Sequence, residues 1–276
     1  MGIIKNGQLF TTLNNGHEMP LLGLGAYDMH GDEAVNATRD AIEVGYRLID
    51  TAEMYGNEKE IGRGISESTV PRKELFVTTK VNNTSQGYDN TLLAFEKSLA
   101  SLKMDYVDLY LIHWPIKGKR KETWKAIEKI YKEGRAKSIG TGNYLLPFLK
   151  ELEEYSSIVP AVNQIEFSPY LYMKKELDYC QSKSIQLQAY TPLIRGKKFD
   201  DPKLVTLANK YGKTPAQIIL RWSVQQNISA IPKSANKNRL QENFDIFNFE
   251  IEEADIQFMN QFDEQYRIIE DPMEMF

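Results

Sequence analysis

The stretch Arg47-Leu48-Ile49-Asp50-Thr51-Ala52-Glu53-Met54-Tyr55 reads as a short buried strand that runs out into a loop. The strand ends at Asp50, the loop reaches Tyr55 and Gly56, and a helical pattern starts near Asn57. An acid and a phenol therefore stand together at the C-terminal end of a strand. In an α/β barrel, catalytic groups collect at that end. Taken alone, Asp50 reads more readily as a turn or capping residue, and Tyr55 as a half-buried loop aromatic. What decides the reading is repetition. Phe76-Val77-Thr78-Thr79-Lys80 ends on a lysine, and Leu109-Tyr110-Leu111-Ile112-His113 ends on a histidine.

Working outward, short runs of strand type recur at 22–25, 47–50, 75–80, 107–112, 136–141, 161–165, 185–190 and 228–231. Segments of helical period separate them. Tyr88, Leu92, Phe95, Leu99 and Leu102 share one helical face, as do Trp124, Ile127, Ile130 and Tyr131 before Gly134. Thr214-Pro215 is a helix start with Ile218, Ile219 and Trp222 facing inward. Two more helices are expected, from Asn236 to Phe244 and from Ile251 to Phe262. Leu109 to Ile112 are continuously apolar, as in strands covered on both faces. Ahead of the first barrel strand, Leu9, Thr11 and Leu13 alternate, Asn14-Asn15-Gly16 turns and His17 to Pro20 returns, a hairpin over 8–20. Eight such units predict one (β/α)8 barrel over 1–276, preceded by this β-hairpin. The rival is an open doubly wound sheet, but Gly23-Leu24-Gly25 lacks the third glycine of a dinucleotide fingerprint.

The chain has 276 residues, a net charge of −4 and one cysteine, Cys180. Its length suits an α/β barrel, for which about 250 residues is typical. The mild negative charge gives no reason to expect nucleic acid or a membrane surface as partner. One cysteine excludes an internal disulfide framework and fits a reducing compartment. Met1 to Gly7 shows no leader pattern, and Asn6 spoils a myristoylation match at Gly2. No apolar run approaches the ~18 residues of a membrane span. His17, His30 and His113 have no metal-ligand spacing, and no nucleophile elbow is present. The expectation is a cytoplasmic monomer without a metal.

Asp50, Tyr55, Lys80 and His113 meet at one barrel mouth in this reading, and their chemistry suits a phenol acting as acid. A free tyrosine has a pKa of ~10. A nearby ammonium favours the phenolate and is expected to lower that value. Asp50 would hold the buried lysine charged, since an unpaired buried ammonium is costly. Tyr55 could then pass a proton to an oxygen that gains negative charge, with His113 on the same oxygen.

The chain resembles the aldo-keto reductase family. The resemblance rests on Gly23-Leu24-Gly25, Asp50 to Glu58, Thr79-Lys80-Val81, Leu111-Ile112-His113-Trp114-Pro115, Val162-Asn163-Gln164-Ile165-Glu166, Tyr190-Thr191-Pro192-Leu193 and Ile231-Pro232-Lys233-Ser234. It implies a barrel that reduces aldehydes and ketones with NADPH, with Asp50, Tyr55, Lys80 and His113 as catalytic tetrad and Tyr55 as proton donor. It implies further that Tyr190 stacks on the nicotinamide, and that Asn143 and Gln164 hold the carboxamide. Gly25, Ala26, Tyr27, Asp50, Thr191 and Leu193 would line the rest of the cofactor cleft. Gly142 stands where the family usually has serine, so one carboxamide hydrogen bond is expected to be missing. Thr191 keeps the hydroxyl of a common serine.

The segment Lys233 to Arg239 adds its own argument. Three cations, Lys233, Lys237 and Arg239, crowd a helix start, where the macrodipole disfavours positive charge. A bound phosphate would remove the conflict. The resemblance implies that Lys233, Ser234 and Arg239 take the 2′-phosphate of NADPH, and that Glu242 and Asn243 contact adenine. Tyr27, Met54, Tyr55, His113 and Trp114 would wall a substrate pocket. With a short loop after Trp114 and a brief tail from Asp263 to Phe276, that pocket is expected to be open and broadly specific. Two other functions fit parts of the pattern. One is a nucleotide-binding subunit without catalysis, which the full tetrad argues against. The other is an isomerase or lyase using Lys80 as a Schiff base, which borohydride trapping would reveal.

Overall fold

The computed structural model describes residues 3–5 and 7–275. Met1, Gly2 and Asn6, part of the stretch read for a leader or a lipid anchor, and Phe276 at the end of the tail lie outside the described residues. Three antiparallel strands open the chain: β1 (Ile3–Lys5), β2 (Gln8–Thr12) and β3 (Glu18–Pro20). The expected hairpin is thus present, and β1 adds a third strand to it by pairing with β2.

Eight parallel strands follow: β4 (Leu24–Gly25), β5 (Leu48–Asp50), β6 (Phe76–Val81), β7 (Val107–Ile112), β8 (Ala136–Gly142), β9 (Val162–Glu166), β10 (Gln186–Tyr190) and β11 (Ser229–Ile231). They pair in sequence order from β4 to β11. The ends then meet: the Ala230 N–H donates to Leu21 O at 2.8 Å and the Gly25 N–H to Pro232 O at 3.1 Å. A Cβ at Gly25 would sit 2.6 Å from Ile231 O, so only glycine lets the two edges come this close. The helices are α1 (Gly31–Val44), α2 (Glu58–Ser66), α3 (Tyr88–Leu102), α4 (Arg120–Lys132), α5 (Leu146–Glu153), α6 (Lys174–Ser182), α7 (Pro202–Tyr211), α8 (Pro215–Gln225), α9 (Lys237–Phe244), α10 (Glu253–Met259) and α11 (Pro272–Met275). This is the (β/α)8 barrel read from the sequence. Thr214 caps α8 in a reciprocal box with Gln217, as the Thr-Pro start implied.

One expectation needs correction. The helix expected from Ile251 to Phe262 is helical only over α10, although Ile251 and Phe262 are both buried at its ends. Their apolar character comes from packing and imitates helical period. The brief tail is fastened to the barrel. Ile268 and Ile269 donate their N–H groups to the two carboxylate oxygens of Glu166, at 2.6 and 3.1 Å.

The barrel interior is divided along its axis. Toward the N-terminal ends of the strands, Leu48, Phe76, Leu109 and Val162 form a cluster with Leu13 and Met19 of the hairpin segment. The hairpin therefore plugs this end and leaves the C-terminal mouth as the open one. No helix among the described residues is long and apolar enough to cross a membrane.

Candidate active site

Asp50 is the last residue of β5, and Lys80 is the penultimate residue of β6. Parallel pairing of these neighbours puts the two side chains together inside the mouth. The Lys80 ammonium donates to Asp50 Oδ1 at 2.5 Å and to Thr51 O at 2.9 Å, and lies 3.5 Å from the Tyr55 hydroxyl. Both charged groups are almost wholly buried. Tyr55 ends a 3₁₀ turn, Glu53–Tyr55, that starts three residues beyond Asp50. Its ring meets Tyr27 and His113 edge-on, with centroids 5.2 and 5.5 Å away. The four residues expected to converge do so.

The electrostatics differ from the sequence expectation at one point. Burial, reinforced by the Asp50 charge and by Tyr27, pushes the Tyr55 phenol well above its ordinary range. The expected lowering by Lys80 does not prevail, because that ammonium is in contact with Asp50. Seen from the phenol, the pair is closer to a dipole than to a free cation. Tyr55 is thus a stored proton. Burial, with the Lys80 charge second, drives His113 well below its ordinary value, so its imidazole is neutral. Its Nδ1 has no partner among the described residues, and packing alone holds that side of the ring.

A polar belt backs the tetrad. The Gln164 amide donates to Asp50 Oδ2 and to Gln188 Oε1, each at 2.7 Å, and Gln188 donates to Ser229 Oγ at 3.1 Å. Both Gln164 N–H donors are therefore spent. Its Oε1 remains as the atom that could meet a carboxamide N–H. Asn143, in the left-handed region at φ 62°, donates to His113 O at 2.9 Å and accepts from the Tyr190 hydroxyl at 2.7 Å. Asparagine tolerates that backbone conformation better than most residues. A Cβ at Gly142 would lie 2.8 Å from His113 O and 2.9 Å from Ile112 O. In this barrel glycine is there because the neighbouring strand crowds the position, so adding serine would push β7 and β8 apart.

Thr191, Ile194 and Arg195 all have positive φ, between 50° and 54°. Such strain in a short loop is typical of ligand clamps, and Thr191 and Leu193 are in this loop. Tyr27 is 54% exposed and Met54 40%, whereas Trp114 is buried, so the expected pocket wall is open on two sides. At the start of α9, Lys237 already has carboxylate partners on α1. It pairs with Glu43 at 2.7 Å and Asp40 at 3.6 Å. Lys233 and Arg239 are exposed, with no ion-pair partner among the described residues. Ser234 is buried in a local turn with Asn236. Glu242 accepts from the Thr214 hydroxyl at 2.7 Å, which turns its carboxylate toward α8, and Asn243 is buried. No group of His, Cys, Asp and Glu among the described residues could hold a metal.

Sequence reasoning gave no role to Glu58, whose buried carboxylate accepts from Thr79 Oγ1 at 2.6 Å beside Lys80. Nor did it find Gln188 or Glu166. The signal for Glu58 was present: a helix-start acid in the Asp50 to Glu58 motif, followed by a helix whose apolar side faces the barrel.

Comparison with known proteins bears on the family and the fold. The model described as Aldo/keto reductase family matches residues 21–264. The glyoxal reductase of Bacillus subtilis is 47% identical over 264 residues, covering 95% of this chain and 96% of that protein. An aldo-keto reductase from a Medee basin deep-sea metagenome library superposes with a TM-score of 0.92 at 43% identity, covering 95% of this chain and 97% of that one. A mutant of Gox0644 in complex with NADPH superposes with a TM-score of 0.92 at 38% identity, covering 96% and 98% of the two chains.

Proposed function

The chain belongs to the aldo/keto reductase family, and on that premise we propose that it reduces aldehydes and ketones, with NADPH as reductant and Tyr55 as the acid. The observation that carries the reading is the contact of Lys80 with both Asp50 and Tyr55 beside a neutral His113. When bound, the cofactor supplies the hydride. Tyr55 supplies the proton to the carbonyl oxygen as charge develops there. His113 donates its remaining N–H to the same oxygen and orients it. Asp50 keeps Lys80 charged, and Lys80 keeps the phenol oxygen in place. The residues fit a nicotinamide dinucleotide: Gln164 Oε1 and the Asn143 amide for the carboxamide, Tyr190 for the ring, Lys233 and Arg239 for a phosphate. Tyr27, Met54 and Trp114 bound the substrate with few polar anchors, which supports acceptance of many carbonyl compounds.

Cofactor choice tests the reading. Oxidation followed at the nicotinamide absorbance band, with a panel of aldehydes, is expected to give a kcat/KM for NADPH about tenfold or more above that for NADH, a charge-assisted contact's worth of discrimination. Arg239→Ala should weaken NADPH and leave NADH nearly unchanged. Equal losses for the two would show that Arg239 does not read the 2′-phosphate. We further propose that the protein acts as a cytoplasmic monomer. Cys180 is fully buried, with its thiol pushed up to about 12, and so is inert as a cross-link. A scattering mass of twice the chain at micromolar concentration would refute the monomer, and cell fractionation tests the compartment.

A further inference from the structure

Tyr55 is held loosely for a residue that must aim a proton. Its hydroxyl reaches Lys80 only at 3.5 Å, the outer limit of a hydrogen bond. The backbone bonds of its turn, Tyr55 N–H to Ala52 O and Gly56 N–H to Glu53 O, stay within the turn and do not tie it to the barrel. Two side chains do. Downstream, Asn57 donates to Ala26 O at 2.8 Å and Met29 O at 2.9 Å, which anchors the segment toward the loop after β4. On the opposite side, apart from the long Tyr55–Lys80 contact, the only side-chain bonds from the turn among the described residues are those of Glu53. Its Oε2 accepts from the Asn82 N–H and its Oε1 from the Ser85 hydroxyl, both at 2.8 Å.

Asn82 stands two residues beyond Lys80, so this carboxylate joins the turn bearing the phenol to the strand bearing the ammonium. The same segment continues to Gln86, which is buried and donates to Trp114 O at 2.7 Å. Trp114 directly follows His113. Three successive mouth loops are thus fastened in series, and the Asn82 to Gln86 segment is the shared link.

We propose that Glu53 is a positioning residue for Tyr55: its carboxylate, clamped by the Asn82 N–H and the Ser85 hydroxyl, sets the phenol against Lys80 and the reacting oxygen. The inference rests on Tyr55 being the acid. Glu53 touches neither substrate nor the reacting atoms, and acts through the turn. Half-buried and charge-assisted, its two bonds are strong for their size. Small displacements of a catalytic group are costly, since a 1 Å misplacement can cost about 10²-fold in rate.

The test measures single-turnover reduction of an aldehyde by NADPH in Glu53→Ala and Glu53→Gln, each made in the wild-type and Tyr55→Phe backgrounds. In the wild-type background, Glu53→Ala should slow the reaction about 10- to 100-fold, with NADPH affinity and the KM for aldehyde within about twofold. Glu53→Gln should recover most of the rate, because the amide oxygen can still accept from Asn82. In the Tyr55→Phe background, Glu53→Ala should cost less than about twofold of the residual rate, because there is no acid left to misplace. Ser85→Ala removes one of the two bonds without touching the turn itself, and should take a smaller part of the same loss. A wild-type rate in Glu53→Ala overturns the proposal. So does an equal loss in both backgrounds, which would mark a general loop brace, or a loss expressed in KM alone. A Tyr55→Phe enzyme that keeps its rate overturns the acid assignment first, and the inference falls with it.

Discussion

Tyr55→Phe is expected to lower the single-turnover reduction rate by about 10²–10⁴-fold, the usual range for losing a general acid, while cofactor affinity stays the same. The phenyl ring keeps the edge contacts with Tyr27 and His113, so packing is preserved and only the proton is lost. The direction of the phenol's shift makes a second measurement possible. The donor form is the protonated one, and it is lost as pH rises through the phenol's pKa. Burial and Asp50 raise that pKa, so the acid persists through the whole neutral range. A wild-type minus Tyr55→Phe absorbance titration of the cofactor-free protein should show no phenolate forming below pH ~10, the free tyrosine value. His113 is the rival acid. With its pKa driven below the ordinary range, little imidazolium is present near neutrality, and its role is a hydrogen bond. If Tyr55→Phe keeps more than about a tenth of the rate while His113→Ala is inactive, outside what loss of a general acid allows, the assignment is reversed.

The second large effect belongs to Lys80→Met. Removing one partner of a buried pair leaves the other charge uncompensated, at a cost of about 3–5 kcal/mol. The loss should depend on pH with a definite sign. Burial already pushes the Asp50 carboxyl upward against the pull of Lys80, and without the lysine its folded pKa stands far above the unfolded value. The folded variant then holds a proton that the unfolded chain releases, so its stability falls as pH rises between those two values. Urea unfolding should find Lys80→Met more stable near pH 5 than near pH 8, a window above the unfolded Asp value of ~3.9. Adding Asp50→Asn should restore much of the stability, since Gln164 keeps an oxygen acceptor at residue 50. The rate should stay low in both variants, because the phenol has lost its contact with Nζ. Combined with Tyr55→Phe, Lys80→Met should add far less than its single effect, since both damage one unit. A double variant of Asp50 and Lys80 that regained the rate would refute this account of the lysine.

The sequence by itself determined the order of eight strands, the helix starts at Thr214-Pro215 and Asn236, and the three strand ends carrying Asp50, Lys80 and His113. Those features are local. Strand and helix periods and capping are written in consecutive residues, and parallel strands in a barrel deliver their C-terminal residues to one face whatever the rest does. Family resemblance then supplied the candidate cofactor residues, because the motifs keep their spacing. Tertiary structure decided what depends on distance between segments far apart in the chain. Lys237 looked like part of a phosphate site until its partners Asp40 and Glu43 came into reach across α1. Gln164 spends its donors on Asp50 and Gln188, which a linear motif does not reveal. Gly142 answers to the carbonyls of His113 and Ile112 on the next strand. The sign of the Tyr55 shift was also tertiary. From sequence, Lys80 is simply a nearby cation. In the fold it is neutralised by a contact with Asp50 while the phenol is stripped of water, and desolvation then outweighs the charge that was expected to win.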